Sequence, residues 1–232
     1  MSKKSYDKFI EDLLVFIKSR NYVHSKDIPN IELYMDQVTT FMDDHLGLFK
    51  RTEEEKILTK TMINNYSKCD ILPPTAKKKY GHDHLILLLF VYYFKNILSI
   101  PDIKKLLDPV KDIIMKDKSP LSMEAFLDRI METQTMHFDS LAGQVNHTVK
   151  VGKDLFPEFS DDEREKLSIF TTAYLLTIQA TAQKHMATQL IDNYLTKHPS
   201  KEAGQKTKAP RPKKPEAGRP EVRKKTPKKP IS

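Results

Sequence analysis

One cysteine, no tryptophan and six glycines in 232 residues each exclude something. With Cys69 alone, no intrachain disulfide can form, so the fold must rest on burial and hydrogen bonding, and a reducing, cytoplasmic setting is expected. With so few glycines there is no phosphate-cradling loop of the Gly-x-x-x-x-Gly-Lys or Gly-x-Gly-x-x-Gly kind. Long apolar runs are missing too. The longest, residues 85–94, is ten residues, about half of what a membrane span needs. The opening MSKKSYDKFIEDLLVFIKSR is amphipathic and lacks the unbroken apolar stretch of a secretory leader, so a soluble chain with no membrane partner is expected.

Charge is present in quantity but unevenly placed. Residues 197–232 carry 13 Lys and Arg against 3 acids, a net of +10, and the preceding 196 carry 26 against 28, a net of −2. The formal +8 of the chain therefore belongs to its last segment. That segment also holds 7 of the 14 prolines and almost no large apolar residue, too little to offset the entropy of ordering. It is expected to be a disordered basic tail that adds salt-sensitive affinity for DNA or RNA through counterion release.

Ahead of the tail the periodicity is helical, and an all-α fold is predicted. Tyr6, Phe9, Ile10, Leu13, Leu14 and Ile17 fall on one face of a first helix. Ile31, Tyr34, Val38, Phe41 and Met42 fall on one face of a second, entered after Pro29. A short third helix runs from Thr59 to Lys68 with Met62, Ile63 and Tyr66 inward, stopped by Pro73 and Pro74. Residues 84–97 are apolar almost all round, as in a helix at the centre of its domain. Pro101 fits the first turn of the next helix, which carries Ile103, Leu106 and Leu107. After Ser119-Pro120 come two long helices. The first, of about 28 residues, is lined by Leu127, Ile130, Phe138, Leu141, Val145 and Val149. The second begins at the Ser160-Asp-Asp-Glu163 capping box and carries Leu167, Phe170, Tyr174, Ile178, Ala182, Met186, Leu190 and Tyr194. A short connection with Gly152 and Pro157 makes them an antiparallel hairpin. Such a hairpin must pack on the rest of the chain or on a second copy, and a homodimer is expected. The resulting division is an N-terminal helix (1–26), a core domain (27–118), the hairpin (119–196) as a dimerisation or effector region, and the tail (197–232).

Catalytic groupings are not found, and a protein that is not an enzyme, with no cofactor and no metal, is expected. His82-x-His84 beside Asp83, with His45 far off, has poor spacing for one ion, and His82 or Asp83 serves better as a helix N-cap. Cys69 lacks the context of a nucleophile, and Glu53-Glu-Glu55 reads as an acidic first turn.

The informative stretch is residues 59–107, a short polar helix followed by a Pro-Pro corner, a lysine-rich loop, an apolar helix and a further helix opening on Ser-Ile-Pro-Asp. Lys60, Thr61, Asn64, Asn65 and Lys68 share the polar side of the short helix. Asn suits bidentate pairing with adenine, and Lys suits guanine or phosphate. Lys77, Lys78 and Lys79 suit a loop that grips backbone phosphates. Ile63-Asn-Asn-Tyr-Ser-Lys-Cys-Asp-Ile-Leu-Pro-Pro74 with Lys77-Lys-Lys-Tyr80 resembles the MerR-type winged helix-turn-helix, with a wing some four residues shorter. Over residues 28–107 the text is similar to a YkrK-like bacterial family of domains of unknown function. The MerR resemblance implies a transcriptional regulator that contacts DNA through Lys60, Thr61, Asn64, Asn65, Tyr66, Lys68, Lys77, Lys78, Lys79 and Tyr80. In it Lys78 takes the place of a wing arginine, and Tyr66 and Tyr80 take the places of tyrosines. Asn64 and Asn65 stand where that family has an arginine and a tyrosine. Two other readings fit the same residues: a helical protein–protein adaptor in which this region is plain surface, and an RNA- or ribosome-associated accessory protein acting through the tail.

Overall fold

Helix α4, His82–Lys95, sits at the centre of the fold because its sequence offers no polar face to water. Eight successive residues, Leu85 to Tyr92, are all buried, each contributing roughly 1.5–3 kcal/mol by leaving water. In the computed structural model, which describes residues 6–18, 23–47, 50 and 52–195, the other elements are arranged around this helix. They are α1 (Tyr6–Lys18), a 3-10 turn (Ser25–Asp27), β1 (Leu33–Tyr34), α2 (Met35–Leu46), α3 (Lys60–Lys68), β2 (Lys79–Tyr80), α5 (Ile100–Ile114), α6 (Met123–Asp154) and α7 (Asp161–Leu190). The all-α reading holds, with a two-stranded antiparallel ribbon of two residues per strand, Leu33 opposite Tyr80 and Tyr34 opposite Lys79. The expected disordered tail lies outside the described residues.

One hydrophobic core runs from Val23 to Met131. It takes Val38, Met42 and Leu46 from α2, Ile63 and Tyr66 from α3, and Ile103 and Leu107 from α5. It continues past residue 118 into α6 through Met123, Leu127 and Met131. Asp128 of α6 ties this end to the chain's start, accepting from the Ser25 amide at 2.9 Å and the Ser25 hydroxyl at 2.5 Å. Partial burial pushes the Asp128 carboxyl up, but the Ser25 hydrogen bonds and His24 outweigh it and leave it below its ordinary value.

Several side chains lie elsewhere than periodicity suggests. Ile31 and Tyr34 are exposed because α2 begins only at Met35, leaving them in the extended approach to it. On α1, Ile10 is buried while Phe9 and Leu13 are exposed. Ile97 is exposed just past the end of α4, and Ile130 is exposed on α6. The N-cap of α4 is Gly81, so neither His82 nor Asp83 takes that position.

The two long helices pack as a hairpin, but Gly152 is not in its connection. It lies inside α6, buried where that helix crosses Ser168 and Thr172 of α7. The face α7 turns inward is small and polar, with Ser168, Thr171 and Thr172 buried. Tyr6 of α1 donates its hydroxyl to Thr172 at 2.9 Å. Of the expected apolar row, Phe170, Tyr174, Ile178, Met186, Leu190 and Tyr194 are exposed, and because they are spaced by fours they wind around α7 and do not form one face. After Leu190 the chain tightens into one π-helical turn, Ile191–Leu195, which buries Ile191 and pairs Asp192 with Lys105 of α5 at 3.2 Å. Beside that turn Leu190 and Tyr194 border an apolar pocket of about 430 Å³ shared with Ile97, Leu98 and Leu106.

Candidate nucleic-acid interface

Helix α3 starts where Thr59, in extended backbone, accepts the Met62 amide on its hydroxyl at 3.2 Å. Its apolar positions are too few for more than a narrow stripe. Ile63 and Tyr66 are buried, but Met62 is exposed in the first turn, its sulfur 3.5 Å from the Thr59 amide nitrogen. The helix ends at Cys69 and Asp70. Asp70 is left-handed at φ 57°, and the Ile71 amide reaches back to the Tyr66 carbonyl at 3.0 Å while the Asp70 amide reaches Ser67 at 3.2 Å. This double closure normally uses glycine, and aspartate is among the few residues that tolerate the conformation.

Lys60, Thr61, Asn64, Asn65 and Lys68 are all exposed on α3. Lys60 forms an ion pair with Asp36 of α2, and Asn65 has its side-chain oxygen 4.0 Å from the Cys69 sulfur. The loop into α3 is held from the other side by Lys95 of α4. Its ammonium donates to the Ile57 carbonyl, lies 5.3 Å from the Tyr92 ring centroid, and has its pKa lowered by burial. The connection between α2 and α3, residues 47–59, is 13 residues long, whereas a helix-turn-helix joins its helices by a three- or four-residue turn.

The lysine-rich loop closes as a two-residue hairpin turn. The Lys79 amide donates to the Ala76 carbonyl at 2.9 Å, and the two residues between, Lys77 and Lys78, have φ of 50° and 60°. Two successive left-handed residues suit the right-handed twist of a ribbon, but the turn ordinarily takes Asn-Gly or Asp-Gly. Lysine at each position costs about 1–2 kcal/mol. The base of the loop is clamped by His84, whose Nδ1 lies 3.2 Å from the Gly81 amide nitrogen and Nε2 3.2 Å from the Pro73 carbonyl oxygen. Since the amide donates to Nδ1, the proton sits on Nε2 and is donated to Pro73.

Of the ten residues the sequence points to, eight are at the surface and two are not. Tyr66 is 4 % exposed and Tyr80 is 5 % exposed. Burial pushes both phenols above their ordinary pKa, and a hydrogen bond to Ser67 opposes the shift at Tyr80. These tyrosines fasten α3 to the ribbon; they do not present a surface to a partner. Lys79 is half-buried beside Glu32 at 3.6 Å, 5.5 Å from the Tyr34 ring centroid. Lys68, Lys77 and Lys78 make no ion pair with any described residue. Sequence reasoning weighed His84 only as a metal ligand and passed over Lys95, yet these two hold the loop and the approach to α3. Their signal was the polar ends of an otherwise apolar helix, His82-Asp-His84 and Lys95. Among the described residues no group of three His, Cys, Asp or Glu side chains converges to hold a metal, and no helix is long and apolar enough to cross a membrane.

Residues 23–130 are similar to a family described as Domain of unknown function (DUF1836), and this span coincides with the core from Val23 to Met131. No curated protein and no solved structure matches the chain.

Proposed function

We propose that the chain is a DNA-binding transcriptional regulator that sets α3 in the major groove and lays the 76–79 turn on the phosphate backbone. The observation that carries this reading is the turn itself: Lys77 and Lys78 hold left-handed backbone that disfavours them, and among the described residues no acid pairs with either. Strain kept at an exposed position in favour of a cation is understandable if the cation has work to do there. Pairing of β1 with β2 supports a winged-helix arrangement, since it brings the lysine turn against the strand that enters α2, and Tyr80 to Ser67 of α3. Asn64 and Asn65 supply donors and acceptors for base edges, and Lys68 a phosphate contact.

The test is binding of the full chain to its best DNA from a genome-wide selection. Asn64→Ala and Asn65→Ala are each expected to cost about 1–3 kcal/mol at the preferred site and to relax base preference there. The double change Lys77→Asn with Lys78→Gly installs the residues the turn favours. It is expected to raise folding stability by about 1 kcal/mol while weakening binding to all sequences and lowering the salt slope by about two. If selection yields no preferred sequence, and the double change leaves binding intact, α3 and the turn are ordinary surface and the adaptor reading replaces this one.

A further inference from the structure

The pocket between α5 and the end of α7 is lined by apolar side chains throughout. On one wall Ala187, Leu190, Ile191, Tyr194 and Leu195 stand three and four apart, a single stripe along the last turns of α7 and the π-helical turn. Phe94, Leu98 and Leu106 face them from the end of α4, the loop after it and α5. The two walls do not close on each other. Ala187, the small member of the stripe, reaches too short a way across, and a hollow of about 430 Å³ is left. We infer that this hollow is a binding site for an uncharged small molecule with a hydrocarbon body.

Volume is the first reason. Packed interiors hold few voids larger than a water molecule, whereas clefts that take small ligands run from roughly 300 to 1,000 Å³. The hollow is of the second kind and can be entered from water, since Ile97, Leu190 and Tyr194 at its border are each more than half exposed. The lining then sets the chemistry. Aliphatic and aromatic carbon surrounds the space, so a charge or an amide taken inside would give up its water for nothing in return. Apolar hollows hold water poorly, and a hydrocarbon body entering one displaces no water that was well bound. Charge beside the hollow is balanced, because Lys105 of α5 pairs with Asp192 of the π-helical turn at 3.2 Å, and an ionic ligand finds no counter-ion there. The backbone gives an independent sign. Single π-helical turns are rare and frequently mark functional sites, and this one supplies Ile191, Tyr194 and Leu195 to the lining. The chain's own continuation is a poor occupant. Residues 196–200 are Thr-Lys-His-Pro-Ser, and 197–232 contain no Phe, Tyr or Trp and only Val222 and Ile231 as large aliphatic residues.

The site stands apart from nucleic-acid binding and is tested on the full chain without DNA. The probe is N-phenyl-1-naphthylamine, uncharged and bright only in apolar surroundings, with decan-1-ol as competitor. Saturable binding of a single equivalent is expected, with a dissociation constant in the micromolar range and displacement of the dye by the alcohol. Ala187→Trp fills the hollow from one wall and is expected to weaken binding of both compounds by about tenfold or more. Leu106→Gln puts an amide on the opposite wall and should weaken it comparably. Phe170→Ser removes exposed apolar surface about 25 Å along α7 from Ala187 and should leave binding unchanged. Circular dichroism shows whether each variant keeps its helicity, and if one lining variant does not, the other decides. A chain that binds neither compound overturns the proposal. So does uptake of several equivalents, binding indifferent to the lining variants, or an equal loss in Phe170→Ser.

Discussion

The two tyrosines that resemblance put at the DNA surface illustrate what a side chain's type leaves open. Tyrosine at positions 66 and 80 is equally consistent with stacking on a partner and with closing a small core. Which applies depends on whether the ribbon folds back over α3, a non-local matter. Because both phenols are buried, their ionisation is disfavoured in the folded state and their pKa values lie above the ordinary phenol value. A group raised on folding contributes stability that is fully present below the unfolded pKa, about 10, and lost as pH rises through the folded one. The urea midpoint is therefore expected to hold below the ordinary phenol pKa of about 10 and to fall as the pH rises above it. Tyr66→Phe and Tyr80→Phe should each shallow that fall, and Tyr80→Phe should also cost about 1 kcal/mol for the lost Ser67 hydrogen bond. An alkaline fall of the same depth in both variants would show that neither phenol is buried. The lysine turn was hidden for a related reason. Ala-Lys-Lys-Lys contains none of the residues by which a left-handed pair is recognised, so the positions were read as candidate contacts while their backbone was not foreseen.

Elements were easier to read than their faces. Periodicity marks α3, α4, α5 and both long helices, and Thr59 and Ser160 sit at their N-termini as capping residues should. Faces went astray where an element's start is displaced, as for Ile31 and Tyr34 before α2, and where helix packing depends on small residues and not large ones. Gly152 is the clearest case, because in a sequence it reads as a break, yet here it is a helix residue placed for close approach. A Cβ at this position would stand 3.0 Å from the Thr172 hydroxyl oxygen and 3.1 Å from the Ser168 carbonyl oxygen. The carbonyl belongs to a helix backbone and cannot move aside alone. Gly152→Ala gains about 1 kcal/mol in helix propensity but forces α6 and α7 apart, at a cost of about 1–3 kcal/mol. A net loss of about 1 kcal/mol in urea unfolding is expected, with Gly143→Ala, where nothing lies within 4 Å of the added atom, as the control that gains stability. If the two substitutions behave alike, the helices do not meet at Gly152.

At the scale of the whole chain, the net charges of the two parts differ in sign. Deleting residues 197–232 changes the net charge from +8 to −2. Non-specific affinity for DNA or RNA is expected to fall and its dependence on salt to flatten, while discrimination between the preferred site and other sequences persists in the remaining body. Filter or anisotropy titrations across a salt series measure both quantities, and discrimination lost together with the tail would place recognition there instead of on α3.

Helix α6 also has a mechanical consequence. Its first turns supply Met123, Leu127 and Met131 to the core, and the same 32-residue rod runs on to Asp154 without a proline. At 1.5 Å per residue it is about 48 Å long, so a tilt of five degrees at the core moves its far end by about 4 Å. The core end of the rod is the short arm of a lever and the hairpin tip the long one. A small rocking of the packed core would be amplified by this length at the tip, and force applied at the tip would return to the core with the same mechanical advantage.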